Sequence, residues 1–297
     1  MRAPQEFHYR LPNRVRGQRP GSHAGLAIGT GQEFVSHASL YERPDPRRLD
    51  LRASLRSLRD EWLVRVNRQR SGVTVYAVVD SSASMGFGAG AKRESVGEFL
   101  ESLGLSAFRA GDSVGLLAFD SREQPELFVP PRLGRGVGSS LRERLEQFWA
   151  ERSRVGRTKP GAADAASTAG GLELAAMRLA GRDGLVFIVS DFHWPLERLG
   201  AVLDLLSPAA VVPLVVWDRA EIEPPAGNGF ALLRDSESGA RRTLWLRPSL
   251  RARWREAVDR RRAELERVFA ERFVRPLYLQ GTFDAERLSR YFLEGFV

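Results

Sequence analysis

The sequence predicts an α/β fold: a doubly wound, mostly parallel sheet with an irregular or β N-terminal extension and an inserted β-hairpin. Three observations carry that prediction. "VTVYAVV" at 73–79 and "LVFIV" at 185–189 are nearly unbroken apolar runs of strand length, as expected of strands covered on both faces. From residue 71 onward such runs alternate with stretches whose apolar residues recur at helical spacing, the rhythm of a parallel sheet flanked by helices. Residues 1–70 differ in texture, with Gly, Pro, Arg and short apolar islands, which predicts an extended arm or a small sheet. The expected division is an N-terminal extension over 1–70 packed on one α/β domain over 71–297, with a hairpin insertion near 229–246.

Each element follows from local pattern. After the strand at 73–79, residues 92–108 place Val96, Phe99, Leu100 and Leu103 on one helical face. "GDSVGLLAF" reads as a turn and a second strand, and "ELFVPPR" as a short edge strand, because its prolines cannot donate to a ladder. A polar helix is expected over 139–152, then a small-residue loop and a helix within "VGRTKPGAADAASTAGGLELAAMRLAGRDG". "LVFIVSDF" is the next buried strand, followed by a helix over 195–206 and the strand "AVVPLVV". "FALLRDSESGARRTLWL" predicts a hairpin turning at its Asp, Ser and Gly cluster. A long helix is expected from Ser249, read as its N-cap, to Phe273, with Trp254, Val258, Leu265, Val268 and Phe269 on one stripe. "VRPLYLQG" supplies a last strand and residues 285–292 a last helix.

Composition narrows the function classes. The chain has 297 residues, 43% of them hydrophobic, enough to bury a core. It contains no cysteine, which excludes disulfides, thiolate zinc sites and a cysteine nucleophile. "MRAPQEFHYRLPNRVRGQRPG" has no apolar core of a secretory signal, and "LLSPAAVVPLVVW" is too short to span a bilayer. The expectation is a cytoplasmic protein with no membrane span. The net charge of +8 comes almost wholly from arginine, since Lys92 and Lys159 are the only lysines. The arginines are spread along the chain and no RRM, KH or zinc-finger pattern accompanies them. Nucleic acid is not expected as a partner, and an arginine-rich nucleic-acid binder stands only as a second alternative.

The chemistry concentrates where the first buried strand runs into "DSSASMGF". Asp80 closes that strand, at the sheet edge where open α/β folds bind ligands, and Asp80, Ser82 and Ser84 present oxygen at alternate positions. A plain strand-to-helix turn accounts for the same residues, because Asp and Ser favour turns and N-caps. The second buried strand also ends in an aspartate, Asp191, and α/β topology can bring both carboxylates to one rim. Two carboxylates flanked by hydroxyls suit a hard cation. Magnesium takes six oxygens and keeps several waters, so Ser82 and Ser84 can ligate directly while Asp80 and Asp191 orient bound waters.

Enzymatic readings fare less well. A metal-dependent phosphatase of the haloacid-dehalogenase type, the first alternative, needs an acid two residues after its first aspartate, and Ser82 cannot transfer that proton. "SSASMG" is not a nucleophile elbow. The chain lacks the Gly-rich phosphate loops of ATPases and dinucleotide enzymes, so any ATP hydrolysis belongs to a partner.

"DSSASM" after a buried strand resembles the Asp-x-Ser-x-Ser element of von Willebrand factor A domains, and Asp191 in "VSDF" matches that family's later aspartate. The resemblance implies a metal-ion-dependent adhesion site completed by a threonine. Thr168 in "ASTAGGLELAA" is the candidate and Thr158 the fallback, in a loop that departs from the family's Gly-Gly-Thr form. "GSHAGLAIGTGQEFVSHASLYERPDPRRLDLRASLR", "LVRVNRQRS" and the tail from "GFALLRDSESG" to "YFLEGF" resemble the A-domain proteins grouped as domain of unknown function 58. "FHYRLP" is most similar to MxaS-like members, which are associated with methanol dehydrogenase maturation. The resemblance implies a non-enzymatic adaptor holding magnesium, manganese or calcium. Its implied partners are a MoxR-type AAA+ ATPase and an acidic residue of a client protein.

Two local readings stay open on sequence. In "DPRRLDLRAS", Arg47, Arg48 and Arg52 could contact the ATPase, or Asp45 and Asp50 could pair with them as a packing clasp. Trp194, beside Asp191, could be a binding hot spot or could pack under the following helix.

Overall fold

The computed structural model describes residues 3–11, 20–29, 31–87, 91–154, 163–227, 229–234 and 241–295. β1 (Pro20–Gly29), β2 (Glu33–Ser39) and β3 (Leu63–Ser71) form an antiparallel sheet in the order β1-β3-β2. "DPRRLDLRAS" lies in the β2–β3 connection. Asp45 caps a 3-10 turn (Pro46–Arg48) and pairs with Arg48 at 3.2 Å. Asp50 caps α1 (Leu51–Ser54) through the Ala53 N–H and also binds His37 and Arg65. The Ala53 N–H, followed by the His37 ring, holds its carboxyl down to about 2. Both aspartates therefore serve as clasps, and the basic partner of Asp50 is Arg65.

β3 leads into β4 (Thr74–Asp80), after which helices and strands alternate. The sequence runs α2 (Ala91–Ala110), β5 (Ser113–Phe119), β6 (Val129–Arg132), α3 (Val137–Arg154), α4 (Ala163–Leu179), β7 (Leu185–Ser190), α5 (Leu199–Leu205), β8 (Ala210–Trp217) and α6 (Arg219–Ile222). The hairpin β9 (Gly229–Arg234) and β10 (Arg241–Leu246) follows, then α7 (Pro248–Ala270), β11 (Leu277–Gln280) and α8 (Ala285–Glu294). The central sheet has six strands in the order β11-β8-β7-β4-β5-β6. All neighbours are parallel except β6, which pairs antiparallel with β5 and puts its two prolines on the edge.

Successive side chains of a strand point to opposite faces, and β4 feeds two cores accordingly. Val75, Ala77 and Val79 join the core built by α2, α3 and α8, whereas Tyr76 and Val78 join the core built by α4, α5 and α7. Residues 3–11 enter the first core. Phe7 is 1% exposed, stacked on Phe99 and edge-on to Phe187 and Phe283. α2 and α3 approach so closely that a Cβ on Gly104 would lie 2.4 Å from the Gly138 backbone.

The structure departs from the sequence reading at the starts of two helices. Arg247, not Ser249, is the N-cap of α7, because Pro248 occupies the first helical position, where its fixed φ fits and its missing N–H costs nothing. α5 starts at Leu199, later than expected. The expected hairpin turn at residues 235–240 lies outside the described residues. Among the described residues, no helix is long and apolar enough to cross a membrane.

Candidate metal centre

The chain path reverses at β4. β5 lies on one side of it and β7 on the other, which makes the carboxyl end of the β4–β7 pair the crevice where open α/β sheets place ligands. The register sets Val79 opposite Val189. Ser190 consequently faces Asp80, and Asp191 stands one residue further along the same rim.

Hydrogen bonds fix this rim. Asp80 accepts from the Ser82 N–H at 2.9 Å and from the Ser190 hydroxyl at 2.6 Å. Ser190 in turn accepts from the Phe192 N–H at 2.9 Å and from the Trp194 indole at 3.2 Å. Phe192 holds φ at +51°, a left-handed conformation that costs a non-glycine residue about 1 kcal/mol or more. That turn is held by the Ser190 contacts and by the burial of Trp194, which packs in the second core. Trp194 is therefore a packing residue. The Trp217 indole donates to the Asp191 carbonyl at 2.9 Å and its ring stacks on His193.

Ser82 and Ser84 bring their hydroxyl oxygens to 3.0 Å from each other, and the Ser84 hydroxyl also bonds the Asp191 carboxylate. Oxygens around magnesium at 2.0–2.1 Å lie about 3 Å apart along each octahedral edge. The two serines are thus spaced as adjacent ligands of one small hard cation. Asp80 and Asp191, both 0% exposed, supply the charge such an ion needs. The donor set fits magnesium, and manganese and calcium share its preference for oxygen.

The fifth residue is placed differently from its sequence reading. Thr168 lies inside α4 rather than in a loop before it, because the alanine-rich stretch ahead of it is strongly helix-favouring. It is 5% exposed. One turn later Gly171 sits on the residue that follows β5, where a Cβ would come within 2.1 Å of the Asp120 carbonyl. α4 therefore abuts the same carboxyl edge. Thr158 lies outside the described residues.

Sequence reasoning missed Lys92. It stands in the first turn of α2, is 1% exposed, and its ammonium reaches Asp191 at 2.8 Å, Glu221 at 2.5 Å and the Ser84 carbonyl at 3.3 Å. Glu221 comes from α6, whose N-terminus Asp218 and Glu221 close as a capping box. His193 lies 3.8 Å from Glu221, and Asp191, His193 and Glu221 converge within 4.8 Å. The usable clue was compositional: nearly all basic residues here are arginine, so a lysine just after the "DSSASM" turn stands out.

The charges are unequal in consequence. Burial, then the neighbouring Asp191 charge, push the Asp80 carboxyl up to about 7. Burial opposes ionisation of Asp191 too, but the Lys92 ammonium, His193 and the Ser84 hydroxyl together outweigh it and hold that carboxyl below its usual range. An acid raised in the folded state binds its proton more tightly there than when unfolded. Asp80 therefore removes stability as pH rises from about 4 to about 7, and nothing further changes above that. Asp80→Asn is expected to stabilise the metal-free protein by about 1–3 kcal/mol at pH 8, the pKa penalty less one lost buried hydrogen bond. The gain should vanish at pH 4. Urea unfolding in EDTA at both pH values checks this, and equal stability of the two proteins at pH 8 would contradict it.

Fold and site together define an α/β domain with two buried aspartates and two serines gathered at the switch point of its sheet. Residues 42–264 match the family described as "Protein of unknown function DUF58", and the chain belongs to that family. It is 34% identical over 93 residues to the "Uncharacterized protein in moxR 3'region" of Paracoccus denitrificans, covering 31% of this chain and 89% of that one. An uncharacterised protein of Mycobacterium tuberculosis is 27% identical over 264 residues, 87% of this chain and 77% of its own length. Similar solved structures include the conserved hypothetical protein BatB from Bacteroides thetaiotaomicron, at 14% identity and a TM-score of 0.40, covering 74% of this chain and 98% of that one. A von Willebrand factor type A structure from Catenulispora acidiphila matches at 9% identity and a TM-score of 0.35, covering 78% of this chain and 43% of that one.

Proposed function

We propose that this protein is a non-enzymatic cytoplasmic adaptor that holds magnesium at Asp80, Ser82, Ser84, Thr168 and Asp191 and captures a carboxylate of a partner. The observation that carries this reading is the 3.0 Å pair of serine hydroxyls beside two fully buried carboxylates. The bound ion would supply an open position with residual positive character, because neutral hydroxyls leave more of its charge uncancelled than carboxylates do. The chain's own part is positioning. Asp80 pins the "DSSASM" turn through the Ser82 N–H, and Ser190 and Trp217 hold the Asp191 segment against it.

The partner is inferred to be a MoxR-type AAA+ ATPase, with a client metalloenzyme of the methanol dehydrogenase type as the remodelled species. The Paracoccus relative, named for the moxR 3′ region, supports the first of these. The test is capture of the AAA+ ATPase encoded nearest the gene, in magnesium and in EDTA, by wild type and Asp80→Ala. Wild type should retain the ATPase in magnesium only, and Asp80→Ala should stay folded and lose at least about tenfold in retention, as expected where one charged group at a buried site is removed. Retention indifferent to both changes overturns the metal-dependent reading. Turnover of a generic phosphomonoester above an Asp80→Asn control overturns the non-enzymatic one.

A further inference from the structure

Lys92 is costly where it stands. A buried ammonium loses its hydration, and a cation in the first turn of a helix opposes the helix dipole. Its three protons are met by three oxygens, from Asp191, Glu221 and the Ser84 carbonyl. The ammonium also lies over the Phe87 ring, 5.8 Å from its centroid. All but two of the 45 basic residues are arginine, yet this buried position carries the compact point charge of lysine.

Asp191 and Glu221 both bond this one fixed cation, and the Asp80 carboxylate lies within reach of the Asp191 charge, so the cluster holds three carboxylates and one ammonium. With Lys92 in place, a divalent ion brings the fully ionised cluster to neutrality. Without it, the loaded cluster keeps one negative charge and repels an incoming carboxylate. We propose that Lys92 is a built-in counter-charge that sacrifices metal affinity so that the loaded site accepts a partner's carboxylate. This rests on the metal reading above and assigns Lys92 and Glu221 to it as positioning residues: Lys92 neutralises Asp191, and Glu221 holds Lys92 there.

The two effects have opposite signs, which separates this role from a merely structural one. The experiment is calorimetric titration of magnesium chloride into the full chain at pH 8, with and without sodium acetate as the carboxylate probe. In the wild type, acetate should tighten magnesium binding. Lys92→Met should bind magnesium about tenfold tighter or more, since one unit charge a few ångströms away is worth at least that, and should lose the acetate effect. Glu221→Gln keeps the ammonium and removes a negative charge. It should bind magnesium several-fold more weakly and keep the acetate effect, and it carries the test if Lys92→Met does not fold. Unchanged magnesium affinity in Lys92→Met, an undiminished acetate effect there, or tighter magnesium binding in Glu221→Gln overturns the inference while leaving the metal site standing. Magnesium binding by none of the three proteins overturns the metal reading, and the inference with it.

Discussion

Phe7→Ala is expected to cost about 3–5 kcal/mol of stability, the range for truncating a fully buried aromatic side chain. Phe7 lies among Tyr9, Phe99, Phe187 and Phe283, with ring centroids between 5.7 and 6.5 Å away. Its backbone N–H is anchored to the Ser106 hydroxyl at 2.9 Å, so the segment cannot easily slide to fill the void. The cavity would open beneath β7, the strand that delivers Asp191, and loss of stability should appear in urea unfolding as a lower midpoint with an unchanged slope. A loss below about 1 kcal/mol would show that residues 3–11 rest on the core without belonging to it.

Asp112→Ala is expected to be comparably destabilising for a polar reason. The Asp112 carboxylate, 1% exposed, accepts from the Val73 N–H at 2.7 Å, lies 2.8 Å from the His23 ring and accepts from the Tyr9 hydroxyl. It thus joins residues 3–11, β1 and the entrance of β4 at one point. Alanine leaves the Val73 N–H and the Tyr9 hydroxyl buried without an acceptor, each costing about 1–3 kcal/mol, for a total of about 2–6 kcal/mol. Burial, then the Asp112 charge and hydrogen bond, raise the Tyr9 hydroxyl well above its ordinary pKa, so it remains a donor through the neutral range. Limited proteolysis should show the segment around Tyr9 released before the central sheet unfolds. Asp112→Ala and Phe7→Ala combined should cost less than the sum of the two, because both detach the same segment.

The central sheet was legible because strands covered on both faces leave an unmistakable apolar run, and β4, β5, β7 and β8 fall within a residue or two of their expected spans. Asp80, Ser82, Ser84 and Asp191 were legible as one edge because strand ends and parallel topology together put them there. Capping was less readable. Ser249 is an apt N-cap residue in isolation, but the adjacent proline decides the start of α7. Thr168 was misplaced because helix propensity in the alanines before it outweighed a loop expectation borrowed from resemblance. Lys92 and Glu221 escaped for a deeper reason: a charged residue reads as solvent-facing until its partner, supplied by a distant element, is known.

The aromatic cluster around Phe7 also bears on how the molecule is made. Its neighbour Phe187 lies more than half the chain away and Phe283 nearly the whole chain, and the His8 N–H meets the Ser289 hydroxyl at 3.0 Å across a separation of 281 residues. During synthesis at about 5–20 residues per second, residues 3–11 must wait roughly 15–60 s after they are made for their contacts with α8 to emerge. Until then the packing of Phe7 against Phe283 and of Tyr9 against Phe292 is missing. The first core can therefore close fully only once α8 has been made.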